Sequence, residues 1–121
     1  MSLQVLAVDD SRTMRDMLNL ALSSAGFTAH LAEDGVHALE MLEVTEPDVI
    51  ITDINMPRMD GFRFIDAVRS NDKWSRIPIL VLTTESADEL KAKARAAGAT
   101  GWIVKPFDPA KLVKALQMVA G

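Results

Sequence analysis

Short runs of apolar, largely β-branched residues recur along the chain, and each is followed by a stretch with helical periodicity. Gln4–Val8, Thr28–Ala32, Asp48–Thr52, Ile77–Thr83 and Gly101–Val104 are the strand-like runs. The first, third and fourth are almost continuously apolar, the pattern of strands covered on both faces. Strict alternation of strand and helix implies parallel strands joined by right-handed crossovers. The pattern therefore predicts one domain over residues 1–121, an open doubly wound α/β sheet.

Local signals punctuate the helices. Ser11 caps the first, whose Met14, Met17, Leu18, Ala21 and Ala25 follow a 3.6-residue period, and Gly26 ends it as a left-handed residue. Val36–Thr45 turns Leu39 and Leu42 inward. Turn residues fill Asp53 to Gly61, and Phe62–Ser70 follows with Phe62, Ile65 and either Ala67 or Val68 on its apolar side. Ser86-Ala87-Asp88-Glu89 has the spacing of a capping box and opens a helix to Ala97, closed by Gly98. Asp108-Pro109 places a cap and an N1 proline before the last helix, which ends near Gly121.

Composition narrows the function classes. With 49% hydrophobic and 25% charged residues the chain is neither disordered nor a coiled coil. The absence of cysteine excludes a disulfide scaffold, a thiolate zinc site and a cysteine nucleophile. A net charge of −4 with interspersed signs argues against a nucleic-acid binder. Met1-Ser2-Leu3-Gln4 lacks the basic start of a secretory leader, and no apolar run approaches the ~20 residues of a membrane span. The expectation is a cytoplasmic monomer.

In a sheet of this kind, ligands bind beyond the carboxyl ends of the strands. Those ends are Asp9-Asp10, Asp53, Thr83-Thr84 and Lys105-Pro106, so carboxylates, hydroxyls and one ammonium converge on one edge. Two unit charges ~4 Å apart repel by about 4 kcal/mol at an effective dielectric near 20. Either the carboxylates take up protons or a cation sits among them. An all-oxygen donor set completed by water suits Mg²⁺, and a divalent ion beside a lysine suits a phosphoryl group in transfer.

Val8-Asp9-Asp10-Ser11, Thr52 to Gly61, Thr83 and Lys105-Pro106-Phe107 resemble, in order, the motifs of the response-regulator receiver domains of two-component signalling. Within that family the chain is most similar to the single-domain chemotaxis regulators of the CheY type. The resemblance implies a flavodoxin-like (βα)5 fold with strand order 2-1-3-4-5. It implies that Asp53 accepts a phosphoryl group from the phosphohistidine of a histidine kinase. Asp10 and Asp53 would ligate Mg²⁺ directly, Asn55 through its backbone carbonyl, and Asp9 through water. Lys105 and the Thr83 hydroxyl would each bind a phosphoryl oxygen. Asn55 and Glu85 would flank the water that removes the group.

The resemblance also implies a partner surface on the fourth helix, fifth strand and fifth helix, where Lys91, Arg95, Trp102, Lys111 and Lys114 fall; a flagellar motor switch protein would be one partner. A merely solvated basic face is the competing reading. Trp102 stands where the family usually has tyrosine or phenylalanine, so an inward-swinging aromatic switch and a fixed packing role both stay open. Trp74 is expected over the end of the third helix, and His30 and His37 at the surface. With the chain ending soon after the fifth helix, the expectation is a receiver domain with no output domain. A phosphate sink and a relay intermediate remain alternatives within this class. A dehalogenase-like phosphatase would need Asp-x-Asp after the first strand. A flavodoxin would need hydroxyl and glycine residues where Asp9-Asp10 would repel its phosphate.

Overall fold

The computed structural model describes residues 3–120. Met1, Ser2 and Gly121 lie outside the described residues, and with them the ends on which the readings of an absent leader and a closed chain depend. The elements alternate as expected: β1 (Gln4–Val8), α1 (Arg12–Ser24), β2 (Thr28–Ala32), α2 (Gly35–Leu42), β3 (Val49–Thr52), α3 (Gly61–Arg69), β4 (Ile79–Thr83), α4 (Asp88–Ala97), β5 (Gly101–Val104) and α5 (Pro109–Ala120). The strands form one parallel sheet in the order β2-β1-β3-β4-β5, the flavodoxin-like arrangement. Val8 pairs with Thr52, and Thr52 with Val81, so β1, β3 and β4 finish nearly level.

Each central strand feeds two cores. Leu6, Val8 and Ile50 point to the face covered by α2, α3 and α4, where Phe64, Ile65 and Val68 fill the interior. Val5, Ala7 and Ile51 point to the opposite face, against Leu18 and Leu22 of α1 and Leu112 and Leu116 of α5. Successive residues bury on opposite sides, which is why these runs read as continuously apolar. Trp74 lies in the first core, at 9% exposure.

Several helix details differ from the sequence reading. In α1 the buried row is Leu18 and Leu22, whereas Met17 is 46% exposed and Ala25 also faces solvent. The helix meets the sheet rotated toward Leu22, a direction the packing partners choose. Helix α2 starts at Gly35, capped by the Asp34 side chain, and stops at Leu42, short of Thr45. On α3 the choice between Ala67 and Val68 falls to Val68, and Phe64, which the period missed, is fully buried.

The Ser86 capping box does not form. Ala87 is the N-cap of α4 and makes no side-chain bond. Ser86 lies one residue too early, so Glu89 falls at the second helical position and cannot close the reciprocal pair. Asp88 and Glu89 complement the helix dipole instead. Gly98 ends α4 at φ +114°, and Asp108 accepts from the Ala110 N–H ahead of α5, both as expected.

Candidate functional site

The level strand ends place their side chains together. Asp9 follows β1 and Asp53 follows β3, and the Asp53 N–H donates to the Val8 carbonyl at 3.0 Å. Lys105 follows β5, its N–H bonded to the Thr83 carbonyl at the end of β4. One oxygen from each of Asp9, Asp10 and Asp53 lies within 4.8 Å of the others. No other cluster of three or more acidic or histidine ligands occurs among the described residues.

The Lys105 ammonium resolves much of the repulsion. Its Nζ donates to Asp9 Oδ2 and to Asp53 Oδ2, both at 2.7 Å, joining residues 96 and 52 positions away. The other Asp9 oxygen accepts from the Ser11 N–H at 2.9 Å, and Asp53 Oδ1 accepts from the Ile54 N–H at 2.6 Å. Both oxygens of Asp9 are thus engaged, and Asp9 is 1% exposed. Asp10 is exposed and carries no hydrogen bond on its carboxylate among the described residues. Burial raises the Asp9 pKa, against the opposing pull of Lys105 and the Ser11 amide. For Lys105, burial works against the charge, but the bonds to Asp53 and Asp9 outweigh it and its pKa is raised.

Three carboxylates against one ammonium leave excess negative charge in an all-oxygen site. That donor chemistry fits a hard divalent cation such as Mg²⁺.

The rim carries the remaining candidates. Thr83 is fully buried, and its oxygen accepts a long 3.4 Å bond from the Glu85 N–H. No hydrogen bond donated by its hydroxyl occurs among the described residues. Asn55 Nδ2 donates to Glu85 Oε1 at 3.2 Å, so these two residues meet above the site. Trp102 Nε1 donates to the Glu85 backbone carbonyl at 3.0 Å, tying the half-buried ring to the β4–α4 loop. Lys91, Arg95 and Trp102 line a small hollow of about 70 Å³ between α4 and β5. Lys111 and Lys114 are exposed on α5 and do not border it.

Other contacts were not legible in the sequence. The Arg15 guanidinium donates to the Asp9 carbonyl at 2.7 Å, bracing the acidic turn. Gly61 closes the loop after β3, its N–H bonded to the Ile54 carbonyl at 2.8 Å. A Cβ there would collide with the Asp53 carbonyl and the Ile54 Cα, so the glycine permits the close approach. His30 and His37 are half-buried rather than at the surface: His30 Nε2 pairs with Gln4 Oε1 at 2.9 Å, and His37 Nδ1 accepts from the Glu33 N–H at 3.2 Å. A larger hollow of about 930 Å³ at the opposite edge, lined by His30, Glu43, Lys73 and Trp74 among others, contains none of the acidic-site residues.

Comparison with known proteins agrees with this arrangement. The family model for the response regulator receiver domain matches residues 5–117. The chemotaxis protein CheY1 of Helicobacter pylori (strain ATCC 700392 / 26695) is 41% identical over 121 residues, covering 98% of this chain and 98% of that protein. The structure of the chemotaxis protein CheY4 of Vibrio cholerae superposes with a TM-score of 0.94 at 48% identity, over 98% of this chain and 99% of that one. A receiver domain from the sensor histidine kinase PA1611 of Pseudomonas aeruginosa PAO1, 27% identical with a TM-score of 0.92 over 100% of this chain and 99% of that one, has a magnesium ion coordinated in its active-site cleft. On these matches this chain belongs to the response-regulator receiver domains, with its affinity toward the CheY-type chemotaxis regulators.

Proposed function

We propose that the protein is a phosphorylation-activated switch, taking a phosphoryl group from the phosphohistidine of a histidine kinase onto Asp53 and signalling through altered partner binding. The observation that carries the reading is the Lys105 ammonium shared between Asp53 and Asp9 at 2.7 Å on each side. A carboxylate is a weak nucleophile, but a loose phosphoryl transition state needs positioning and charge neutralisation more than nucleophilic power.

Asp10, Asp53 and the Asn55 carbonyl would hold Mg²⁺ directly, with Asp9 reaching it through water. The exposed, unbonded carboxylate of Asp10 supports its direct role, and the near-complete burial of Asp9 supports an indirect one. Mg²⁺ supplies neutralisation of the phosphoryl oxygens at this edge. An Asp53 oxygen forms the new bond to phosphorus as the P–N bond to the donor imidazole breaks, its electron pair staying on nitrogen. Lys105 then turns from Asp53 to a phosphoryl oxygen, and the Thr83 hydroxyl donates its free proton to another.

That last bond draws the end of β4 inward. Glu85 follows because its N–H is bonded to Thr83 Oγ1, and Trp102 follows because its indole is bonded to the Glu85 carbonyl. The signal thereby reaches the α4–β5–α5 face, where Lys91, Arg95, Lys111 and Lys114 offer charge to a docking partner, a flagellar motor switch protein among the candidates. Residues 1–121 act as one receiver domain, a cytoplasmic monomer. It assists its own phosphorylation and dephosphorylation and catalyses nothing else. Asn55 and Glu85 stand beside the approach of the hydrolytic water and set how long the group lasts.

Labelling with a phosphorylated kinase or acetyl phosphate tests the reading. Incorporation is expected to be lost in Asp53→Asn and in the presence of a chelator. Undiminished labelling under either condition rejects it.

A further inference from the structure

The loop after β3 contains the one residue other than glycine with positive φ among those described, Arg58 at +65°. The Met59 N–H donates to the Pro57 carbonyl at 2.7 Å, closing a three-residue turn around Arg58. This is a γ-turn of the rare positive-φ kind, which is strained. Such strain persists only where surrounding contacts impose it.

Two contacts impose it here. The Arg58 guanidinium grips Asp34 with two bonds, Nε to Oδ2 at 2.7 Å and Nη2 to Oδ1 at 3.0 Å. Asp34 is itself fixed, its side chain 5% exposed and capping α2 through the His37 N–H at 2.9 Å. Beside it the Met59 side chain lies over Gly35, so closely that a Cβ there would stand 2.9 Å from Met59 Cγ. The far arm of the loop is therefore clamped onto the start of α2. Its near arm is held by the Ile54–Asp53 and Gly61–Ile54 bonds. Asn55 lies on the span between the two anchors, with its backbone carbonyl offered to the metal under the function proposed above.

We infer that Arg58 and Asp34 are positioning residues for the metal site: their ion pair holds the strained turn that aims the Asn55 carbonyl. Neither residue touches the acidic cluster. Both act through the backbone between residues 55 and 58. The pair bridges the start of α2 and the loop after β3, away from Asp9, Asp10 and Asp53. Because the inference rests on the metal reading, its test separates the two.

Calorimetric titration with MgCl₂ alone, on the unphosphorylated full chain, reads the affinity directly. Asp34→Asn keeps an N-cap for α2 and removes the charge, and the released Arg58, already 53% exposed, remains solvated. Asp34→Asn and Arg58→Ala should each weaken Mg²⁺ binding by about tenfold, the low end of what outer-shell partners contribute. The double variant should be no weaker than the weaker single, because both changes break one pair. Arg58→Gly separates strain from aim, since glycine accepts positive φ without enforcing it. It should equal or exceed Arg58→Ala in urea stability and yet share its loss of affinity. A merely structural role would make affinity follow stability, so wild-type affinity in Arg58→Gly overturns the inference. Wild-type affinity in the single variants, or additive losses in the double, also overturns it while leaving the metal site intact. Absence of Mg²⁺ binding by the wild type, or equal binding in Asp10→Ala, overturns the metal reading and the inference with it.

Discussion

Replacing Lys105 by methionine keeps an apolar stem in the site and removes the cation. In the native chain the ammonium lies 2.7 Å from Asp9 and from Asp53, with the three side chains only 10%, 2% and 10% exposed. At an effective dielectric near 20, one such contact amounts to about 6 kcal/mol of gross attraction. Desolvation of several kcal/mol per ion offsets most of it. Removing one partner alone leaves anions buried without compensation, which costs about 3–5 kcal/mol. That is a large fraction of the ~5–15 kcal/mol that holds a domain folded.

The loss should depend on pH, and its sign follows from Asp9. Burial already raises the Asp9 pKa, and the Lys105 hydrogen bond and charge restrain it. Without the lysine, folded Asp9 keeps a proton that the unfolded chain releases. Stability of the variant then falls as pH rises above the ordinary carboxylate pKa, by about 1.4 kcal/mol per pH unit while that one proton is retained. The native chain keeps the Lys105 contribution throughout this window, because a raised lysine pKa loses its stabilisation only as pH climbs through it. Urea denaturation of both proteins between about pH 5 and about pH 8 should show a gap widening from about 1 to about 3–5 kcal/mol. A gap independent of pH, or a variant more stable than wild type at the upper end, would refute the assigned roles of Asp9 and Lys105.

Gly98→Ala should cost about 1–3 kcal/mol in urea denaturation, because the residue sits at φ +114° and a Cβ would press on Arg69 at 2.8 Å. Arg69 cannot easily yield, since it donates to the carbonyls of Gly98, Ser75 and Ile77; an unchanged midpoint would mean the side chain gives way freely. Asn55→Arg should prolong the phosphorylated state about tenfold, the effect of roughly 1.4 kcal/mol on the hydrolysis barrier. Decay of label after donor removal measures it, and a lifetime equal to wild type would remove Asn55 from the path of the water.

The order of elements, the parallel sheet and the acidic edge were all legible in the chain itself. Buried strands and helix caps are short-range signals: the continuously apolar Val49–Thr52, the Ser11 cap and the Asp108-Pro109 start each need only neighbouring residues. Strand ends could be located for the same reason, and the chemistry of Asp9, Asp10, Asp53, Thr83 and Lys105 followed from the rule that ligands gather there. The inward face of α1 was legible in Met14 and Leu18 but not in full, because Leu22 replaces Met17 and Ala25 only once the helix lies against the sheet. Nor was the failure of Ser86 to cap α4, where one residue of phase decides the outcome. The choice of Asp9 over Asp10 as the second partner of Lys105 crosses 96 positions and depends on which carboxylate the β1 terminus buries. The Arg58–Asp34 clamp, 24 positions apart, and the Arg69 grip on Gly98, 29 apart, join segments whose local sequences carry no sign of one another. Such pairs are chosen by burial and by the distances left after the layers close, and only the folded chain supplies those.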